Sequence, residues 1–375
     1  KLNIMPKIPK IIDSLYIHFP FCAHLCNYCD FYKKVPTDKV QDFHNFHLYL
    51  EESFSLHQNL IEKHGYSWAP LKTLYIGGGT PSLWGIEGSE FLKDFFKKHQ
   101  IELADDCEFT LEVNPGGWNE EVLTAWRNLG ANRFSLGIQA LDKEMITYLD
   151  RVHTIEDVYE TLQYFHDHGL NYSVDFMLGL PFSEKMNRNV IDELSSALKF
   201  KPSHFSVYIL TVKDNYKYYK DLPSEEWIED EFLKVSDFLS QKGFLHYEVS
   251  NFSLPNKQSA HNLNYWKSHT VAALGPSATG FLSEEKLRYK WTPIRPEMAL
   301  EELTEEEFKL EKIYMSIRSQ EGIRLVDFPA KLAELVVEWE RKKLVIQNNG
   351  IVTLTSRGYL LLDSLMSDLF SLKLL

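Results

Sequence analysis

Short runs of β-branched and aromatic residues recur through the first 210 positions, and each gives way to a stretch whose apolar residues return every three to four positions. The runs are Ser14 to Pro20, Leu71 to Ile76, Glu108 to Val113, Asn132 to Ile138, Asn171 to Leu178 and Ser203 to Leu210. Amphipathic spacing predicts helices over Asn119 to Leu129, Ile155 to His168 and Glu225 to Lys242, and several strands close on Gly77, Pro115 or Gly179. Strand and helix in strict alternation make a parallel sheet with right-handed crossovers. Six units fall short of the eight of a closed barrel. The expected fold class is therefore α/β, a partial (β/α)6 TIM-like barrel, with its site on the carboxyl-end rim.

Beyond residue 245 the pattern changes. Residues 246–300 contain an irregular stretch, Tyr247 to Thr279, rich in Asn, Ser, Pro and aromatics, and are expected to connect two domains. Residues 301–375 read as helix (Glu305 to Ser319), helix (Lys331 to Lys343), a hairpin turning at Asn349-Gly350, and a terminal helix from Ser356 onward. That order resembles a small α+β winged-helix-like module. Its net charge of −3 weakens a DNA-reading role and favours a packing or lid function. The expected organisation is an extension over 1–13, the barrel over 14–245, the connecting segment over 246–300, and the terminal module over 301–375.

Composition narrows the function. With 44% hydrophobic and 14% aromatic residues in 375, the chain can bury a large core. Its net charge of −13 repels phosphate backbones, so nucleic acid is excluded as the main partner. No window approaches 18 uncharged apolar residues, and the opening KLNIMPKIPKIID is too short and Pro-interrupted for a signal peptide, which leads to the expectation of a soluble, cytoplasmic protein.

Three of the four cysteines, Cys22, Cys26 and Cys29, fall within eight positions directly after the first strand, in the order C-x3-C-x2-C. Such a concentration points to metal or redox chemistry. Three thiolates on one loop can hold a cubane iron–sulfur cluster and leave one iron open to a chelating molecule. Zinc with His18 or His24 as fourth ligand is the rival, although no second knuckle follows. Cys107, at the third strand, reads as a core thiol.

The spacing, together with Tyr28 before the last Cys, resembles the radical S-adenosylmethionine (SAM) superfamily. The resemblance implies Cys22, Cys26 and Cys29 as ligands of a [4Fe-4S] cluster, SAM on its open iron, and Tyr28 near the adenine. Gly77-Gly78-Gly79-Thr80-Pro81, after the second strand, is similar to the superfamily's glycine motif, implying Gly78, Gly79 and Thr80 at the methionyl amine. Glu112 in LEVNP, Gln139 in SLGIQALD, Arg151 in LDRVHT and Asp175 in SVDFMLGLP are polar groups near strand ends. A carboxylate inside a strand such as SVDFMLGLP must meet a cation, a hydroxyl or a ligand, so either an ion pair with Arg151 or ribose hydroxyls would serve.

These strings, with Tyr16 six positions before the first Cys, resemble the coproporphyrinogen-dehydrogenase (HemN) branch, where the matching residues contact SAM. His261-Asn262-Leu263-Asn264-Tyr265-Trp266 is similar to the H-N-x-x-Y-W motif of the HemW haem chaperones. Chemically, an imidazole beside Tyr and Trp offers an axial iron ligand and flat apolar walls, and packing into a core is the alternative. HemN carries a further Cys two residues past the third ligand, whereas Asp30 and Phe31 follow Cys29 here. Thr279 stands where relatives often read His. The resemblance implies a haem carrier with haem or a porphyrin as cargo and haem-accepting proteins as partners. It also implies peripheral contact with membrane-bound respiratory proteins and a monomer or dimer. Oxygen-independent coproporphyrinogen III oxidation is the alternative, and no residue is assigned a catalytic role.

Overall fold

Alternation along the first six strands sorts side chains by chemistry. One parity is apolar (Leu15, Ile17 and Phe19; Phe134, Leu136 and Ile138) and packs under helices. The other is polar (Ser14, Tyr16 and His18; Arg133 and Ser135) and turns inward. The computed structural model describes residues 10–327 and 330–371. Strands β1 (Lys10–Phe19), β2 (Tyr66–Gly78), β3 (Leu103–Val113), β4 (Arg133–Gln139), β5 (Tyr172–Leu178) and β6 (His204–Ile209) lie side by side in chain order, all parallel. Helices α1 (Lys39–Lys63), α2 (Gly85–His99), α3 (Glu120–Leu129), α4 (Lys143–Tyr148), α5 (Ile155–Asp167) and α6 (Val190–Leu198) fill the crossovers, and α7 (Glu225–Gln241) follows β6. The starts of these helices are locally encoded. Asn119 caps α3 by accepting from the Val122 N–H at 2.8 Å, and Thr154 and Asp157 form a reciprocal capping box on α5.

The expected partial barrel is thus observed, with differences at its edges. β1 begins at Lys10, so only residues 1–9 of the expected extension lie outside the described residues and 10–13 are strand. The segment 246–300 is not a connector. It adds β7 (Leu245–Glu248) and β8 (Asn251–Ser253) beyond β6, helix α8 (Ala260–Trp266), and β9 (Ala272–Leu274) parallel to β1. A three-stranded antiparallel sheet follows, β10 (Thr279–Leu282), β11 (Leu287–Trp291) and β12 (Met298–Glu302). It is tied to the barrel by Trp291 Nε1–H donating to the Ala273 carbonyl at 2.6 Å and by a 2.7 Å Tyr289–His57 hydrogen bond. Strands of three to five residues give almost no periodic signal, so pattern reading missed them.

Residues 305–371 carry a second core. Helix α9 (Glu305–Ser316), strand β13 (Ile323–Arg324), helix α10 (Ala330–Arg341), the hairpin β14 (Val345–Asn348) and β15 (Ile351–Leu354), then α11 (Ser356–Leu360) and α12 (Leu362–Ser371) enclose Ile317, Val336, Trp339, Val352 and Leu365. Asn349 and Gly350 both have positive φ, as a two-residue hairpin turn demands. This module docks on β7 through Val249 N–H to the Arg318 carbonyl (2.8 Å) and Gln320 N–H to the Tyr247 carbonyl (2.9 Å). Among the described residues no helix is long and apolar enough to cross a membrane.

One buried ion cluster braces the rim. Arg188, 1% exposed in its side chain, donates to both Glu193 oxygens (2.6 and 3.1 Å) and to the Met177 carbonyl (2.7 Å), with Glu231 at 3.8 Å. Those carboxylates in turn receive the Leu141 and Gly179 N–H groups, locking the loops after β4 and β5. Replacing Arg188 with Met strands two buried carboxylates, and urea unfolding is expected to show a loss of roughly 3–5 kcal/mol. A loss under about 1 kcal/mol would mean that the cluster does not hold these loops.

Candidate functional site

The cysteine loop leaves β1 at Pro20 and is pinned at its base by Lys34 N–H to the Pro20 carbonyl (2.8 Å) and Cys22 N–H to the Lys34 carbonyl (3.0 Å). The glycine segment after β2 zips onto the same base. Gly79 N–H donates to the Phe19 carbonyl at 2.7 Å and Thr80 N–H to the Phe21 carbonyl at 2.8 Å. A Cβ on residue 79 would sit 2.4 Å from the Phe21 carbonyl oxygen, and one on residue 78, where φ is +109°, would lie 2.4 Å from the His18 ring. Glycine is required there so that the two loops can touch. On its far side the cysteine loop is held by Asn27 Nδ2–H to the Tyr148 carbonyl (3.2 Å) and by a 3.0 Å His24–Asp150 pair. The Arg151 guanidinium lies 3.8 Å from Cys26 Sγ. Burial pushes the Cys22 thiol up, opposed by a hydrogen bond from Thr80.

Below the thiols opens a cavity of about 680 Å³ at the carboxyl ends of the strands. Cys22, Cys26, Cys29, Tyr28, Gly78, Gly79, Thr80, Glu112, Gln139, Arg151 and Asp175 all line it, so eleven positions drawn from six separate stretches of sequence meet at one place. Glu112 accepts from Tyr75 O–H at 2.8 Å and from Gly78 N–H at 3.0 Å. Asp175 accepts from Ser135 Oγ–H at 3.1–3.2 Å, and Gln139 is held at φ +66° by the bulge that ends β4. Arg151 is fixed by Asn114 Oδ1 and the Gly137 carbonyl, both at 2.8 Å, and it forms no ion pair with Asp175 within 4 Å among the described residues. Asn114, which also donates to Thr80 Oγ1 at 2.9 Å, went unread in the sequence; its only signal was the Asn-Pro turn after β3. Lys33, His153 and Tyr208, also on the cavity wall, had no signal at all.

Burial, aided by the Asp175 charge and opposed by hydrogen bonds from Tyr75 and Gly78, moves Glu112 up to about 7. Burial likewise lifts Asp175 to about 6 against hydrogen bonds from Ser206 and Ser135. Both carboxyls thus titrate near neutrality and offer acceptors to hydroxyl or ammonium donors.

The remaining candidates lie elsewhere. Tyr16 sits deeper in the barrel, bonded to His18 Nδ1 at 2.9 Å with its ring 6.0 Å from Tyr75, and does not line the cavity. His18 spends its other nitrogen on the Tyr32 carbonyl at 2.8 Å. No three His, Cys, Asp or Glu side chains among the described residues converge on a single-ion site. The H-N-x-x-Y-W motif forms α8, which plugs the amino end of the barrel. Glu108 receives the Ala260 and His261 N–H groups at 2.9 and 3.0 Å. His261 is 1% exposed, with Nδ1 bonded to Thr73 Oγ1 at 3.0 Å and Nε2 to Tyr265 O–H at 3.2 Å. Burial, and then the Arg133 charge, pull His261 down to about 3. Asn262 N–H bonds the Ser259 cap, and Trp266 faces the Arg318 guanidinium at the seam with the terminal module. His261, Asn262, Tyr265 and Trp266, expected to offer an axial ligand and flat walls, thus stand on α8 with both His261 ring nitrogens bonded within the chain. The i, i+4 spacing folds Tyr265 back onto His261, and partners from β1 and β2 use the remaining nitrogen. Thr279 opens β10 in an exposed position, and Cys107 is a buried thiol pushed up to about 12 by burial.

Comparison with known proteins identifies the family. The model of the radical SAM superfamily matches residues 16–194. A heme chaperone HemW from Lactococcus lactis is 30% identical over 374 residues, covering 92% of this chain and 94% of that protein. The chain belongs to the HemW family. Heme chaperone HemW from Haemophilus influenzae is 33% identical over 285 residues, 74% of this chain and 72% of the relative. The coproporphyrinogen III oxidase HemN from Escherichia coli shares the fold with a TM-score of 0.76 at 20% identity, covering 96% and 91% of the two chains.

The donor set fits a cluster. Three soft thiols share the cavity wall beside an arginine, and the glycine cradle beneath leaves no room for a Cβ. Two outcomes follow for this HemW-family chain. Gly79→Ala should push the cysteine loop off its base and lower iron incorporation below about half of wild type although every thiol remains, measured by iron and sulfide assay. Because Glu112 and Asp175 have folded-state values above their unfolded ones, the stability they contribute is complete below the ordinary carboxylate range and is lost as pH rises through about 6–7. Glu112→Gln is therefore expected to gain on wild type in Tm between about pH 5 and 8, and a gap that stays constant would refute the shift.

Proposed function

We propose that this chain is a haem carrier of the HemW type. It would hold a [4Fe-4S] cluster on Cys22, Cys26 and Cys29 and SAM in the cavity beneath, bind haem, and pass it to haem proteins in the cytoplasm. The observation that carries the reading is the meeting of the three thiols with Glu112, Gln139, Arg151 and Asp175 on one cavity, in a chain similar over most of its length to proteins named heme chaperone.

A cluster held by Cys22, Cys26 and Cys29 would supply one reducing equivalent to a ligand bound beside it. The chain's own groups do the rest. The Gly78, Gly79 and Thr80 N–H groups donate within the chain, so an ammonium held there would need carbonyl or carboxylate oxygens, such as Glu112, as acceptors. Arg151, immobilised by Asn114 and Gly137, presents a fixed cation to a carboxylate. Glu112 and Asp175 accept from hydroxyl donors, and their ionised forms, reached above about pH 6–7, favour a cationic sulfonium ligand.

Anaerobic reconstitution with iron and sulfide is expected to give about four of each per chain, falling to near zero in Cys22→Ala, Cys26→Ala or Cys29→Ala. The reconstituted chain should take up hemin and yield it to apomyoglobin, followed by the shift of the Soret band. With reductant and SAM it should leave coproporphyrinogen III unchanged. Formation of protoporphyrinogen would replace the carrier reading with a decarboxylase.

A further inference from the structure

A carrier must release its cargo, so its binding face must be reachable from outside. Helix α8 does not meet that condition, because His261 is 1% exposed and both ring nitrogens are already bonded. The opposite end of the barrel does. Phe31 and Val152 line the cavity while standing 69% and 68% exposed, and Leu25, beside Cys26, is 46% exposed. Large apolar side chains at such exposure, grouped around one opening, mark a site for an apolar partner. The cavity is two-tiered. Its interior is polar, with Glu112, Asp175, Arg151 and the Tyr208 hydroxyl, and exposed Phe31 and Val152 stand on its lining.

Charge at the mouth narrows the occupant. Asp30 is paired with Lys213 at 2.9 Å, and Asp150 with His24 at 3.0 Å. Lys33, on the same wall, contacts the Cys29 carbonyl and makes no ion pair among the described residues. An uncommitted cation beside exposed aromatic and aliphatic surface, on a chain of net charge −13, suits a flat apolar ring bearing carboxylates. A polypeptide partner would instead need a broad patch, and the exposed apolar side chains here ring the cavity.

Resting on the carrier reading above, we infer that haem lies across the mouth of the barrel, its ring against Phe31 and Val152 and a propionate toward Lys33. It therefore sits above the cluster and SAM cavity and not at the H-N-x-x-Y-W helix. Haem and the floor ligand then share one opening, so SAM is enclosed when haem is on board.

Hemin titration of the anaerobically reconstituted full chain, read at the Soret band, tests the placement. The double variant Phe31→Ser with Val152→Ser is expected to weaken binding at least about tenfold, as loss of two apolar contacts implies. Lys33→Gln should cost about threefold, with the loss shrinking at high salt. Val152→Ser alone, at an exposed loop position that bears no folding load, should cost about threefold and keeps the test valid if the double variant misfolds. Retained wild-type affinity in the double variant and in Val152→Ser, with binding lost only in Trp266→Phe, overturns the placement. A wild-type chain that takes up no hemin overturns the carrier reading itself, and the placement with it.

Discussion

The fold depends on one constraint: six parallel strands send polar side chains into a water-poor interior, and each must find a partner there or face an opening. Ser14, Thr73, Tyr75, Glu112, Ser135, Ser173 and Asp175 meet that constraint by bonding across neighbouring strands. Apolar packing outside the barrel forces this arrangement, because each inward polar residue alternates with an outward Leu, Ile, Phe or Val buried under the helices. Such an interior cannot be open at both ends without filling with solvent. The amino end is stoppered by α8, and the carboxyl end stays open.

The two ends consequently acquire different chemistry. At the amino end every donor and acceptor of His261 is matched, its imidazole is held neutral, and Glu108 satisfies the first N–H groups of α8. The result is a structural plug, joined through Trp266 to Arg318 and through the Lys267–Glu321 pair to the terminal module. At the carboxyl end Glu112 and Asp175 keep capacity to accept, and Arg151 keeps a charge that no acid neutralises within ion-pair distance among the described residues. Unspent polar capacity in a large cavity is what separates a ligand site from a satisfied core.

Precision at that site comes from backbone contact. The Gly79 and Thr80 N–H groups seat the cysteine loop on the edge of the sheet, and the loops after β4 and β5 are braced from behind by Arg188, Glu193 and Glu231. Thiols on a loop are thereby positioned by a rigid sheet, which a metal centre needs if its ligands are to be preorganised.

The sequence by itself determined the six alternating units, the helix caps at Asn119 and Thr154, the Asn349-Gly350 hairpin and the cysteine triad. Each is encoded by residues within a few positions of one another, through periodicity, capping or ligand spacing. Extended parts of the site were legible as polar residues at strand ends, because parallel strands in chain order bring those ends to one rim. Tertiary structure alone decided the rest. The setting of H-N-x-x-Y-W turned on Ser14 and Thr73, which lie about 190–250 residues away in the chain and bond the His261 ring. Asn114, Lys33 and Tyr208 gained their places only when separate strands converged. The segment 246–300 became sheet because its short strands are stabilised by pairing with the barrel and not by any pattern of their own.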